Sequence, residues 1–86
     1  MVMTDGNLIY AKSVEEIEQY IGKPKTSIIF HSKLCGVCKL LVGEIEKFAR
    51  DGKLEGNTFV LVDVDKVPEA AKKYNITAVP YAIAEY

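Results

Sequence analysis

The sequence predicts an α/β domain in which helices flank a largely parallel sheet. Three observations carry this. Apolar, β-branched runs alternate along the chain with segments of helical periodicity. Two of those runs, 26–31 and 58–64, set apolar residues side by side rather than at every second position, as strands covered on both faces do. The 86 residues, 49% of them apolar, suffice for one core and leave no room for a second. Residues 1–86 are therefore expected to form a single domain.

The elements follow in order. Leu8-Ile9-Tyr10-Ala11 reads as a short first strand. Ser13-Val14-Glu15-Glu16 then has the form of a capping box, with Ser13 as N-cap and Glu16 three residues later. Val14, Ile17, Tyr20 and Ile21 are the expected inner face of that helix, and Gly22 followed by Pro24 should stop it. Thr26-Ser27-Ile28-Ile29-Phe30-His31 is a central strand by composition. After it Leu41, Val42, Ile45, Phe48 and Ala49 recur at three- and four-residue spacing. Lys39, Glu44, Glu46, Lys47 and Arg50 take the other side of this second, amphipathic helix. Gly43, midway along it, marks either a bend or a close packing contact.

The polar turn 51–57 leads to a third strand, Thr58 to Val64. Pro68 opens a short helix, Glu69-Ala70-Ala71-Lys72-Lys73-Tyr74, which Asn75 can end in a left-handed conformation. A last strand is expected at Tyr81-Ala82-Ile83-Ala84. No repeat or low-complexity tract interrupts this order.

Charge and hydropathy exclude several function classes. Eleven basic and twelve acidic residues give a net charge of −1, and no basic run is longer than Lys72-Lys73, so nucleic acid and anionic membrane surfaces are not expected partners. No apolar run approaches a membrane span, and the N-terminal MVMTDGNLIY lacks the charge and apolar pattern of a leader. The expected address is cytoplasmic. In a reducing compartment, paired cysteines point to redox chemistry or metal binding rather than to a permanent structural disulfide.

Cys35-Gly36-Val37-Cys38 holds both cysteines of the chain, three residues apart at the junction of a strand and a helix. That spacing puts the two sulfurs on one face of the helix, where they can close into a small disulfide ring. Cys35 falls at the helix N-terminus, where unpaired N–H groups and the positive end of the dipole favour a thiolate. Cys38 heads the apolar stripe and should be buried and protonated. Cys35 is thus the expected nucleophile and Cys38 the resolving thiol. Two other readings stay open: a redox-silent binding module, and a zinc or copper carrier. A closed zinc site needs four ligands, and His31 is the chain's one histidine, so a second protomer would have to complete it.

From about Thr26 to Pro80 the chain runs through a C-x-x-C between a buried strand and a long helix, the stretch Val62-Asp63-Val64-Asp65, a short helix ending Lys73-Tyr74-Asn75-Ile76, and then Val79-Pro80. Together these features resemble the thioredoxin family. The resemblance implies a three-layer α/β sandwich with a mixed four-stranded sheet, order 1-3-2-4, and three helices. It implies a thiol-disulfide oxidoreductase, acting as a reductant in cell redox homeostasis and electron transport. No cofactor is needed beyond the Cys35–Cys38 disulfide itself. Protein disulfides would be the substrates, bound at Gly36, Val37, Val79 and Pro80, and an upstream thiol reductase would supply electrons.

Pro80 would be the family's cis-proline, against the alternative of an ordinary trans proline at a strand start. His31 takes a position where the family commonly has tryptophan. It either packs as a neutral imidazole or, when protonated, joins Lys33 and Lys39 in stabilising the Cys35 thiolate. The family's buried acid aligns with Ile29 and its neighbouring lysine with Leu61, so the proton of the resolving thiol needs another route. The family also continues with a fifth strand and a last helix after the point where this chain reaches Tyr86. Tyr81 and Ile83 are therefore expected on an uncovered edge strand, open to an edge-to-edge homodimer, another protein, or a cap formed by the terminal residues.

Overall fold

The seven elements alternate as the sequence leads one to expect. The computed structural model describes residues 7–85 and comprises β1 (Asn7–Tyr10), α1 (Val14–Glu18), β2 (Thr26–His31), α2 (Gly36–Arg50), β3 (Thr58–Asp63), α3 (Pro68–Lys73) and β4 (Tyr81–Glu85). Most of the N-terminal stretch considered for a leader, residues 1–6, lies outside the described residues. The strands form one sheet in the order β1-β3-β2-β4. β3 runs parallel to both β1 and β2, while β4 is antiparallel to β2, so the sheet is mixed.

Side-chain alternation along the central strands gives the sheet two faces. In register, Ile28 opposes Val60 and Ile83, and Phe30 opposes Val62 and Tyr81. This row meets Ile17 of α1 and Ala70 of α3 in a core from which Ile17, Phe30, Val60, Val62 and Ala70 show no exposed surface. Phe30 stacks at a tilt on Tyr74, with ring centroids 5.9 Å apart. The alternate positions, Ile29 and Leu61, face the other way and bury against Ile45 of α2, with Leu8, Leu41, Val42 and Phe59 around them. Helices thus cover both faces, α1 and α3 on one and α2 on the other.

Local devices explain where the elements begin and end. Ser13 Oγ accepts the Glu16 N–H at 3.1 Å, as a capping box requires. The Glu16 carboxylate returns to the N–H of Lys12, at 2.8 Å, one residue before the N-cap. Pro68 sits in the first turn of α3, where its missing N–H costs no helical bond, and Asn75 follows the helix at φ 57°.

Several expectations need correction. The first strand runs from Asn7, not Leu8, and the third ends at Asp63 rather than Val64. α1 stops at Glu18, so Ile21 lies beyond the helix and is 41% exposed instead of packing with Ile17. Phe48, one turn beyond the buried Ile45 and near the end of α2, is 46% exposed. Gly43 is no packing contact, since a Cβ there would meet nothing within 4 Å. Ile83 is not left uncovered, because it packs against the core beneath α1 and α3; Tyr81, by contrast, is 50% exposed. Glu46, assigned to the solvent side of its helix, is half-buried and is bonded by the hydroxyl of Tyr10.

Candidate active site around the cysteine pair

The turn that carries the cysteines is tied to the end of β3. The Val64 N–H reaches the carbonyl of His31 at 2.8 Å, extending the ladder one step past the last strand pair. The Asp65 carboxylate then accepts the Ser32 hydroxyl at 2.7 Å and the Lys33 N–H at 3.2 Å. Ser32 Oγ in turn accepts the Leu34 N–H at 3.2 Å, and the Cys35 N–H bonds to the Ser32 carbonyl at 3.1 Å. Asp65 is itself oriented by its own N–H, which donates to Asp63 Oδ1 at 2.8 Å. The hydrogen bond from Ser32, helped by the Lys33 N–H, holds the Asp65 carboxyl below the usual carboxylate range. Two loops distant in sequence thereby set where α2 begins.

Cys35 is the N-cap of α2. Its sulfur accepts the N–H of Cys38 at 3.1 Å, one of the orphan donors that every helix start presents. Cys35 keeps part of its surface in solvent, whereas Cys38, one turn in, has none. Burial pushes the Cys38 thiol up from its ordinary value, and its hydrogen bond with Cys35 adds to the rise. The two sulfurs are free thiols in different environments, which is what a division into attacking and resolving roles needs.

The fourth-strand approach closes over this pair. The Val79–Pro80 peptide is cis, and the Val79 carbonyl lies 3.8 Å from Cys35 Sγ, within reach of its S–H. Gly36 and Val37 sit in the exposed first turn of α2. Apolar surface is concentrated here: Leu34 is 86% exposed and Leu40 74%. Of the charged neighbours, Lys33 and Lys39 are both exposed.

His31 points to the α2 face of the sheet, beside Asp63 of β3. Its burial lowers its proton affinity, against the opposing pull of the carboxylates of Asp63, Asp65 and Glu46. It lines a cavity of about 240 Å³ together with Cys38, Val42, Glu46 and Asp63. It also lines a second cavity of about 450 Å³, between Tyr10, Lys12, Leu61 and Lys66. Among the described residues no group of three or more His, Cys, Asp or Glu side chains is placed to hold a metal ion. None of the helices among them is long and apolar enough to cross a membrane.

Comparison with known proteins agrees with this geometry. The chain matches the family described as Thioredoxin over residues 9–84. The chain belongs to the thioredoxin family. An H-type thioredoxin from Oryza sativa subsp. indica is 31% identical over 85 residues, covering 93% of this chain and 68% of that protein. A thioredoxin from Mycoplasmoides gallisepticum is 36% identical over 69 residues, covering 79% of this chain and 67% of the relative. Among solved structures, the reduced Schistosoma mansoni thioredoxin pre-protein superposes with a TM-score of 0.69 at 34% identity, over 91% of this chain and 76% of that one. Thioredoxin from Trypanosoma brucei brucei gives a TM-score of 0.74 at 26% identity, over 91% and 69%.

Within this thioredoxin fold, Ile29 and Leu61 occupy the places that the resemblance assigns to a buried acid and a lysine. Both are buried with Ile45 in an apolar cluster. The residues that sequence reasoning missed are Ser32, Asp65 and Glu46. The Val-Asp-Val-Asp stretch carried a signal for Asp65, since an aspartate just after a strand commonly turns the chain. Nothing in the sequence paired it with Ser32, 33 positions away.

Proposed function

We propose that this protein is a thiol-disulfide oxidoreductase that reduces protein disulfides through Cys35 and Cys38. The observation that carries the reading is the asymmetry of the pair: a part-exposed sulfur at a helix N-cap, receiving the Cys38 N–H at 3.1 Å, and a fully buried thiol one turn behind it. The Cys35 thiolate attacks one sulfur of a substrate disulfide, forms a mixed disulfide and expels the first substrate thiolate. Cys38 then attacks Cys35 Sγ, and the Cys35–substrate bond breaks with its electron pair leaving on the second substrate sulfur. The substrate ends as two thiols and the protein as the Cys35–Cys38 disulfide. An upstream thiol reductase returns the pair to the dithiol.

Gly36, Val37, Val79 and Pro80 surround the reacting sulfur and hold an extended peptide there. The exposed Leu34, Val37 and Leu40 supply apolar contact. Lys33 and Lys39 add positive potential beside the thiolate. Insulin reduction with a dithiol donor tests the assignment: Cys35→Ser should abolish activity, and Cys38→Ser should accumulate mixed disulfides. Activity that survives Cys35→Ser would overturn it. The direction is read by equilibrating the pair with a glutathione buffer. A reductant hands its electrons to glutathione and ends mostly as the disulfide, whereas a pair that stays reduced would mark an oxidant.

A further inference from the structure

Cys38 poses a chemical problem that the residues around it can solve. It must lose a proton to attack, yet burial favours its neutral form. The buried cluster beneath α2 offers no acceptor, since Ile29 and Leu61 of the strands and Ile45 of the helix are all apolar. The cavity of about 240 Å³ that Cys38 lines contains three candidate bases: His31, Glu46 and Asp63. Glu46 already accepts the Tyr10 hydroxyl, and Asp63 Oδ1 accepts the Asp65 N–H at 2.8 Å. The imidazole of His31 takes part in no side-chain hydrogen bond among the described residues. It also lines the larger cavity of about 450 Å³, which shares Val42, Glu46 and Asp63 with the smaller one and is bordered by Lys12 and Lys66.

Resting on the oxidoreductase reading above, we propose that His31 is the proton acceptor for Cys38. It takes the thiol proton through water in the smaller cavity and passes it to solvent through the larger one. As Cys38 Sγ bonds to Cys35 Sγ, the S–H proton moves to His31 and the electron pair of the Cys35–substrate bond leaves on the substrate sulfur. The imidazolium then gives its proton to water, and the substrate thiolate takes one from bulk solvent.

An imidazole matches a thiol in basicity more closely than a carboxylate does, which makes it the better base near neutral pH. Its surroundings keep it in the receptive form. Burial disfavours the charged imidazolium, and Lys66 acts in the same direction. Asp63 and Asp65 from the β3 side and Glu46 from α2 oppose this, while Lys33 and Lys39 border the smaller cavity.

Stopped-flow reaction of the reduced protein with an aromatic disulfide, 5,5′-dithiobis(2-nitrobenzoate), separates the steps. Attack by Cys35 releases one coloured thiolate at a rate set by reagent concentration, and attack by Cys38 releases the second at a rate independent of it. The second phase should follow a pH limb with a midpoint below the ordinary imidazole value of about 6.5. H31Q should lose that limb and slow the phase at pH 7 at least about tenfold. D63N and E46Q should keep the limb but move it to lower pH, because each removes a negative charge that favours imidazolium.

An unchanged second phase in H31Q, or loss of the limb in E46Q or D63N instead, overturns the assignment to His31. If H31Q does not fold, the direction of the D63N and E46Q shifts decides, and an unmoved limb overturns the proposal. A wild type that shows no concentration-independent second phase would sink the oxidoreductase reading itself, so the two failures are distinct.

Discussion

On the α1–α3 side of the sheet, Ile28, Phe30, Val60 and Val62 are shut away at 1% exposure or less, and two helices close over them. On the α2 side the buried set shrinks to Ile29, Ile45 and Leu61, and the same strands end there in His31 and Asp63, which border cavities together with Glu46. The contrast follows from one helix against two. A sheet face under a single helix is sealed along its middle and open at the ends of its strands, and the titratable His31 and Asp63 sit at those ends near the cysteine pair. One face supplies cohesion, and the other trades packing for reachable chemistry.

Substitutions can break this comparison, and the core gives the largest effect. Phe30→Ala should lower unfolding stability by about 3–5 kcal/mol in urea titration, since its site is enclosed and cannot collapse. Ile45→Ala, beside the open side, should cost about 2 kcal/mol, near the lower end for such truncations. Equal losses would mean that the two faces are packed alike.

Caps and helix interiors give smaller shifts. Ser13→Ala removes the acceptor of the Glu16 N–H and should cost about 1 kcal/mol, read as a lower melting temperature. Gly43→Ala should raise stability by about 0.5–1 kcal/mol, because the added methyl meets open space and the unfolded chain loses freedom. Destabilisation by this change would show that the α2 face is tighter than the geometry implies.

The smallest effect is on pH dependence. Folding lowers the proton affinity of His31, so the stability it contributes is complete above its unfolded value of about 6.5 and is lost as pH falls through the folded value. H31Q should flatten the stability profile across that window. Asp65, held below the carboxylate range, contributes stability above its unfolded value that disappears as acid protonates it, so Asp65→Asn should flatten a separate, more acidic window. A loss that persists unchanged in H31Q would assign the first window to another group.

Much of this architecture was legible in the chain. The alternation of elements, the two doubly covered strands, the Ser13 cap, the Pro68 start and the left-handed Asn75 rest on local chemistry or periodicity, and each stands within a residue or two of its expected place. The failures share a cause. Ile21 and Phe48 carry the right spacing for a buried face, yet α1 ends before the first, and the second lies toward the end of α2 beyond the buried cluster. Periodicity says which side of a helix is apolar, but not how far the opposing surface extends.

The site divides along the same line. Sequence by itself determined that two thiols share the first turn of a helix and that one is buried behind the other, because both follow from spacing and helix geometry. Only the tertiary structure decided what surrounds them: the Asp65 anchor on Ser32, the Val79 carbonyl beside Cys35, and the cavity joining Cys38 to His31. The first two are contacts between segments tens of residues apart, and the cavity takes Asp63 of β3 as one of its walls. They depend on strand order and register, which bring the C-terminal ends of β2 and β3 and the start of β4 to one end of the sheet, and no local pattern encodes that meeting.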